Sequence, residues 1–145
     1  MSETDRRVGV VTACAGANAL DALVVPGRAT PCRIAEDELL LICEPDLARE
    51  IAREVETRLT VVDGDALVRD TTDAWAAVAI DDAHAGRTFA RLSRLPLPDR
   101  GFLQGEVAHV PAKVLVDGDG VLVLVPSALE DHVRSRVAAA GEDIP

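Results

Sequence analysis

The stretch Ala74-Trp75-Ala76-Ala77-Val78-Ala79-Ile80 constrains this chain most. It is small, apolar and unbroken, with Thr71-Thr72-Asp73 before it and Asp81-Asp82 after it. An apolar run of this length between turn signals, ending in a β-branched residue, predicts a buried strand. The preceding Ala66-Leu67-Val68-Arg69-Asp70 predicts a second strand, and the short polar link predicts that the two form a hairpin. Trp75 is the only tryptophan, with two phenylalanines and no tyrosine beside it. It is the largest apolar side chain the chain has, and the candidate anchor for a core or for a partner surface.

At 145 residues the chain predicts one domain, 1–145, long enough to bury roughly 68–70% of its unfolded surface. Hydrophobic residues make up 48% and aromatics only 2%. The core must therefore be Val, Leu, Ile and Ala, with little ring surface to stack on a base, a flavin or a sugar. The net charge of −10 opposes nucleic acid and anionic membranes as partners. Lys113 is the only lysine. Cys14, Cys32 and Cys43 are scattered, without a C-x-x-C pair, and read as reduced, buried small hydrophobes of a cytoplasmic protein. Val11-Thr12-Ala13-Cys14 has the shape of a lipoprotein cleavage box, but the apolar run before it is shorter than the 7–15 residues a signal requires.

Residues 1–7 are polar and read as a frayed end. Val8–Val11 predicts a short strand, and Asn18–Val24 a short helix stopped by Pro26-Gly27. Glu36-Asp37 predicts a turn and Glu38–Cys43 a strand. Pro45 suits the first turn of a helix, and Leu47, Ile51, Val55 and Leu59 form one apolar stripe opposite Glu50, Arg53, Glu54 and Arg58 over 46–59. Strand is expected at 61–63, 66–71 and 74–80. Asp81-Asp82 would cap the next helix, which would bury Ala85, Phe89, Leu92 and Leu95 before Pro96 and Pro98 stop it. Gly105–Val110 predicts a strand that Pro111 interrupts or marks as an edge and 112–116 continues. Asp117-Gly118-Asp119-Gly120 predicts a tight turn into Val121–Val125. Ser127-Ala-Leu-Glu130 reads as a capping box, opening a last helix with the stripe Leu129, Val133 and Val137 that Gly141 ends. From residue 38 the order is β-α-β-β-α-β and then β-α. This predicts an α+β fold in the split β-α-β (ferredoxin-like) arrangement, with helices on one face of an antiparallel sheet.

Catalytic motifs are missing. His84, His109 and His132 are far apart and not at metal-ligand spacing. Asp117-Gly-Asp119-Gly begins like a calcium loop, but Val121 and Ala128 stand where ligands are needed. Gly118 and Gly120 open no helix, so a dinucleotide fingerprint fails, and no G-x-S-x-G elbow occurs. Lys113 lies mid-strand, at an expected solvated edge. Asp70 and Asp73 flank a turn, and turn chemistry accounts for them. No catalytic, cofactor-binding or metal-ligating residue is expected.

Val61-Val62-Asp63 through Asp70-Thr71-Thr72-Asp73-Ala74, the apolar strand, and a helix ending at Leu95-Pro-Leu97 together resemble the gamma subunit of heterotetrameric sarcosine oxidase. So do Glu36–Leu41, Gly105-Glu-Val-Ala-His-Val-Pro-Ala112 and Leu122-Val-Leu-Val-Pro126-Ser127. The resemblance spans residues 36–140, with Thr72 where the family has Ser, Leu39 where it tends to Trp, and Pro98 where an acid is common. It implies a fold related to the aminomethyltransferase of the glycine cleavage system. It also implies a non-catalytic accessory role that stabilises larger flavoprotein subunits of an amine oxidase complex, with FAD, FMN, NAD and tetrahydrofolate held by those partners and none by this chain. The alternative is a free-standing folate- or amino-acid-binding domain of the same fold; a small enzyme is a third class. Strand alternation puts Trp75 with Ala77 and Ala79, opposite the more regularly apolar 74/76/78/80 face, so Trp75 is the candidate interface residue.

Overall fold

The computed structural model describes residues 7–80, 84–117 and 120–142. They form two compact units, Arg7–Asp73 and the part from Ala74 onward, each built on a four-stranded antiparallel sheet. The α+β class and the packing of helices on antiparallel sheets are as expected. The hairpin between 66–70 and 74–80 is not, because its two strands belong to different sheets.

The first unit runs β1 (Gly9–Cys14), α1 (Ala17–Ala22), β2 (Thr30–Ala35), β3 (Glu38–Cys43), α2 (Ala48–Val62) and β4 (Leu67–Asp70). The sheet order is β2-β3-β1-β4, so the split β-α-β arrangement lies at 9–70 rather than from residue 38 onward. Pro45 opens a single 3-10 turn, Pro45–Leu47, that leads into α2. Ile51, Val55 and Leu59 are buried along the expected four-residue stripe, packed with Val11, Ala13, Leu39, Leu41 and Val68 of the sheet. Val10, Leu40, Ile42 and Cys32, on the opposite sheet face by alternation, are buried as well. With both faces buried, β3 reads as a continuous apolar run. The expected strand at 61–63 is instead the end of α2. Thr57 and Thr60 donate their hydroxyls to Arg53 O (2.9 Å) and Glu56 O (2.8 Å), so the β-branched residues are accommodated in the helix, and Val61 and Val62 are exposed.

The second unit runs β5 (Trp75–Ile80), α3 (Ala85–Ala90), β6 (Arg100–Val107), β7 (Val110–Asp117), β8 (Gly120–Pro126) and α4 (Glu130–Gly141), with sheet order β5-β8-β7-β6. Its core is Ala76, Val78 and Ile80 of β5, alternate valines of β7 and β8, Ala85 and Phe89 of α3, and Val133 and Val137 of α4. α3 ends at Ala90, short of Leu95. The chain then turns at residues 91–92 and continues without regular structure, with Leu92, Leu95 and Leu97 packed on the core.

The expected strand from Gly105 through Pro111 is two strands. It breaks at Ala108 and His109, whose φ values of +52° and +66° are left-handed, as in a two-residue hairpin turn. Neither residue signals a turn, and bonds from outside hold the conformation. The Ala108 N–H donates to Leu92 O at 2.8 Å, and His132 Nε2 lies 3.1 Å from Ala108 O. Pro111 is tolerated because β8 pairs with β7 only from Lys113 onward.

The capping box does not form. Ser127–Leu129 is a 3-10 turn and α4 starts without a side-chain cap. Glu130 instead pairs with Arg134 at 2.7 Å, and Leu129 is exposed. The expected caps Asp81-Asp82, the turn residues Gly118-Asp119 and residues 1–6 lie outside the described residues. Asp117 does pair with Gly120 across the β7–β8 ladder.

Candidate interaction face

Trp75 begins β5 and stands opposite Pro126 of β8. As alternation predicts, Ala76, Val78 and Ile80 point into the helix-side core while Trp75, Ala77 and Ala79 take the other face. Trp75 is half-buried, and the alanines beside it are buried. The register carries this face across the sheet to Leu122 and Leu124 of β8, Lys113 and Leu115 of β7, and Phe102 and Gln104 of β6. Phe102, Leu115 and Lys113 are half-buried, and Lys113 Nζ donates to Gln104 Oε1 at 2.7 Å. Two of the three aromatics, Trp75 and Phe102, thus share one face. Sequence reasoning missed Phe102 because Gly101 reads as loop, although it lies within β6 at φ +128°. Lys113 is on an interior strand rather than the solvated edge expected.

The Asp70–Asp73 stretch has a structural task. Thr71 N–H donates to Val10 O at 2.8 Å, and Thr71 Oγ1 lies 2.8 Å from Thr12 Oγ1. Thr72 Oγ1 accepts the Val10 N–H at 3.0 Å and donates to Asp70 Oδ1 at 2.6 Å. Asp70 Oδ1 also accepts the Thr72 N–H at 3.0 Å. Side chains thus prolong the β1–β4 ladder past the last strand residue, which is why the segment continues along β1 instead of turning back as a hairpin. A hydroxyl is what position 72 requires, and serine would supply it equally. Asp70 is engaged in this turn, as turn chemistry predicts.

A second carboxylate closes the first unit. Asp63, just past α2, accepts the Gly16 N–H at 2.8 Å at the start of α1 and the Asp65 N–H at 2.9 Å. The Gly16 N–H above all holds its carboxyl below the usual carboxylate range.

The three histidines stay apart in role. Exposed His109 lies 3.5 Å from Glu106, His132 meets the β6–β7 turn, and His84 precedes α3. Among the described residues no three His, Cys, Asp or Glu side chains gather as a metal set. The cysteines are free; Cys32 and Cys43 are buried and Cys14 half-buried. Burial pushes the Cys32 thiol up to about 12 and raises those of Cys14 and Cys43.

No protein-family model and no curated protein matches the chain. Solved structures match its fold. A heterotetrameric sarcosine oxidase from Corynebacterium sp. U-96, in complex with pyrrole 2-carboxylate, superposes with a TM-score of 0.76 at 13% identity, over 92% of this chain and 78% of that one. The glycine cleavage system aminomethyltransferase T from Bartonella henselae gives 0.67 at 15% identity, over 96% of this chain; it is matched over only 45% of its own length. The regulatory subunit of aspartate kinase from Thermus thermophilus gives 0.56 at 14% identity, over 94% of each chain. The fold is therefore α+β, of the kind seen in sarcosine oxidase and aminomethyltransferase. Among the described residues no helix is long and apolar enough to cross a membrane.

Proposed function

We propose that this chain is an accessory subunit of a flavin-dependent, sarcosine-oxidase-like amine oxidase complex, binding and stabilising larger cytoplasmic subunits that carry FAD, FMN, NAD and tetrahydrofolate. The observation that carries the reading is the fold match to a sarcosine oxidase chain over 92% of this chain. The arrangement of side chains agrees with it: the conspicuous polar groups, Asp63, Asp70, Thr71 and Thr72, hold backbone together rather than converge on a reaction centre. Trp75 and Phe102 give the second sheet a face of the aromatic kind enriched at interfaces. The test is isolation of the tagged chain from its native cells. Flavoprotein subunits in stoichiometric complex support the reading, and a chain recovered alone refutes it. A second reading, a free-standing folate- or amino-acid-binding domain, draws on the likeness to an aminomethyltransferase and to a regulatory subunit. Calorimetric titration of the isolated chain with amino acids and tetrahydrofolate separates the two.

A further inference from the structure

Among the described residues the two sheets have four edge strands, β2 and β4 in the first and β5 and β6 in the second. An edge offers backbone N–H and C=O groups to any passing strand, and natural sheets blunt it. Pro31 and the register shift between Arg33 and Ala35 blunt β2, and β4 has only four residues. On β5, Arg134 Nη2 donates to Ala77 O at 3.3 Å. β6 has eight residues, no proline and an unshifted register with β7 from Arg100 to Val107. Val107 and Val110 flank the two-residue turn and so form a hydrogen-bonded pair. By alternation Leu103 and Gly105 also bond to β7, while Arg100, Phe102, Gln104 and Glu106 direct their backbone groups away from it. The Ser93 hydroxyl fixes this phase independently, donating to Glu106 O at 2.6 Å, and it covers one end of the edge. Leu95 lies over Gly105, with Cδ2 2.6 Å from where a Cβ would stand. It sits on the helix-side face with Leu103 and Val107, not across the edge.

We propose that β6 is a self-pairing edge that joins two copies of this chain, strand against antiparallel strand, about a two-fold axis at Leu103. The occupant is a second copy because the strand complements itself. Pairing about Leu103 sets Arg100 opposite Glu106 of the copy, Phe102 opposite Gln104, and Gly101 opposite Gly105. The first two of these are then the hydrogen-bonded pairs, as the outward backbone groups require. A slip of one residue turns the wrong backbone groups toward the copy. A slip of two moves Arg100 and Glu106 apart. Both side chains are exposed, at 79% and 70%, and their neighbours within the chain, Asp117 and His109, lie at 3.6 and 3.5 Å. Such exposed pairs hold their members weakly, so each charge is available to the copy. In a two-fold contact every pair occurs twice. The seam also brings two Phe102 side chains onto one continuous sheet face. The inference stands apart from the accessory-subunit reading and does not depend on it.

The experiment sediments the purified full-length chain at rising concentration. The wild type dimerises. Arg100→Glu and Glu106→Arg each weaken the dimer about tenfold, because each turns two symmetry-related attractions into repulsions. Arg100→Glu/Glu106→Arg exchanges the charges and restores near wild-type association. Both contacts within the chain stay broken in that variant, so its recovery is a signature of pairing between copies. Phe102→Pro removes an N–H that points away from β7, which an edge strand tolerates, and leaves the chain monomeric at any salt concentration. Thermal melts accompany every variant. The charge exchange and the proline test the pairing separately, so loss of folding in one leaves the other to decide. A wild-type chain still monomeric at about 1 mM, a dimer indifferent to these substitutions, or an exchange no tighter than the single reversals overturns the proposal.

Discussion

A methyl group at Gly9 probes how tightly the first unit closes. Gly9 starts β1 opposite Cys43 of β3. A Cβ there would lie 2.9 Å from Glu44 O, 3.0 Å from Cys43 Sγ and 3.1 Å from Pro45 Cα. Two of these atoms are backbone, in the link that carries β3 into the 3-10 turn before α2, and the third belongs to a buried side chain. Relief therefore requires moving the link or the start of β1. Overpacking of this kind costs about 1–3 kcal/mol. Against it, Gly→Ala stiffens the unfolded chain, worth about 0.4–1 kcal/mol where the backbone is compatible. The net is about 0.5–2 kcal/mol of destabilisation, roughly 2–10 °C in Tm for a chain of this size. Gly27→Ala is the matched control, since a Cβ there meets nothing within 4 Å and only the stabilising effect remains. Urea and thermal melts of both variants decide it. A Gly9→Ala protein as stable as Gly27→Ala would show that the β3–α2 link yields freely and that the close approach carries no energy.

Trp75→Ala removes a half-buried ring outside the helix-side core, so it should destabilise the free chain by less than the ~3–5 kcal/mol of a core aromatic while weakening partner binding by about 2 kcal/mol or more. A large fall in Tm with unchanged partner affinity would place Trp75 in the core instead. The folded-state pKa of Asp63 is depressed, so its stabilising effect is complete above the unfolded-state pKa and is lost as pH falls through the lowered folded value. Asp63→Asn should therefore melt below wild type at neutral pH and converge with it in strong acid; parallel curves would refute this. Cys32, with its thiol pushed up to about 12, should resist iodoacetamide at about pH 8 until the chain unfolds, whereas half-buried Cys14 reacts earlier. Peptide mapping after timed alkylation reads out the order.

Elements whose pattern is local were legible. The four-residue stripe of α2, the apolar runs of β3 and β5, and the alternation that separates Trp75 from Val78 all follow from backbone periodicity. Gly141, expected to stop the last helix, is its final residue, with Glu142 just beyond. Elements that depend on a distant partner were not legible. β2 is half polar and pairs as an edge strand with β3. The Ala108-His109 turn lacks Gly and Asn and is stabilised through Leu92 and His132. β6 begins before a glycine that looks like a loop. Of the candidate face, Trp75 was visible as a lone large residue, but Phe102 and Lys113 joined it only once the β6–β7 register was known.

The sequence by itself determined the class of the protein: α+β, with an aliphatic core, an acidic surface and no recognisable reaction motif. It also determined which residues of each strand share a face, because side-chain direction alternates with every residue whatever the strand pairs with. Only the tertiary structure decided which strands pair. The short polar link at Thr71-Thr72-Asp73 is compatible with a hairpin. The alternative, in which Thr71 and Thr72 bond to Val10 and Thr12 some 60 residues earlier, depends on contacts that no local window contains. Pairing is a competition among distant partners, settled by the summed hydrogen bonds and burial of whole sheets, and so Asp70 and Trp75, five residues apart, end in different sheets.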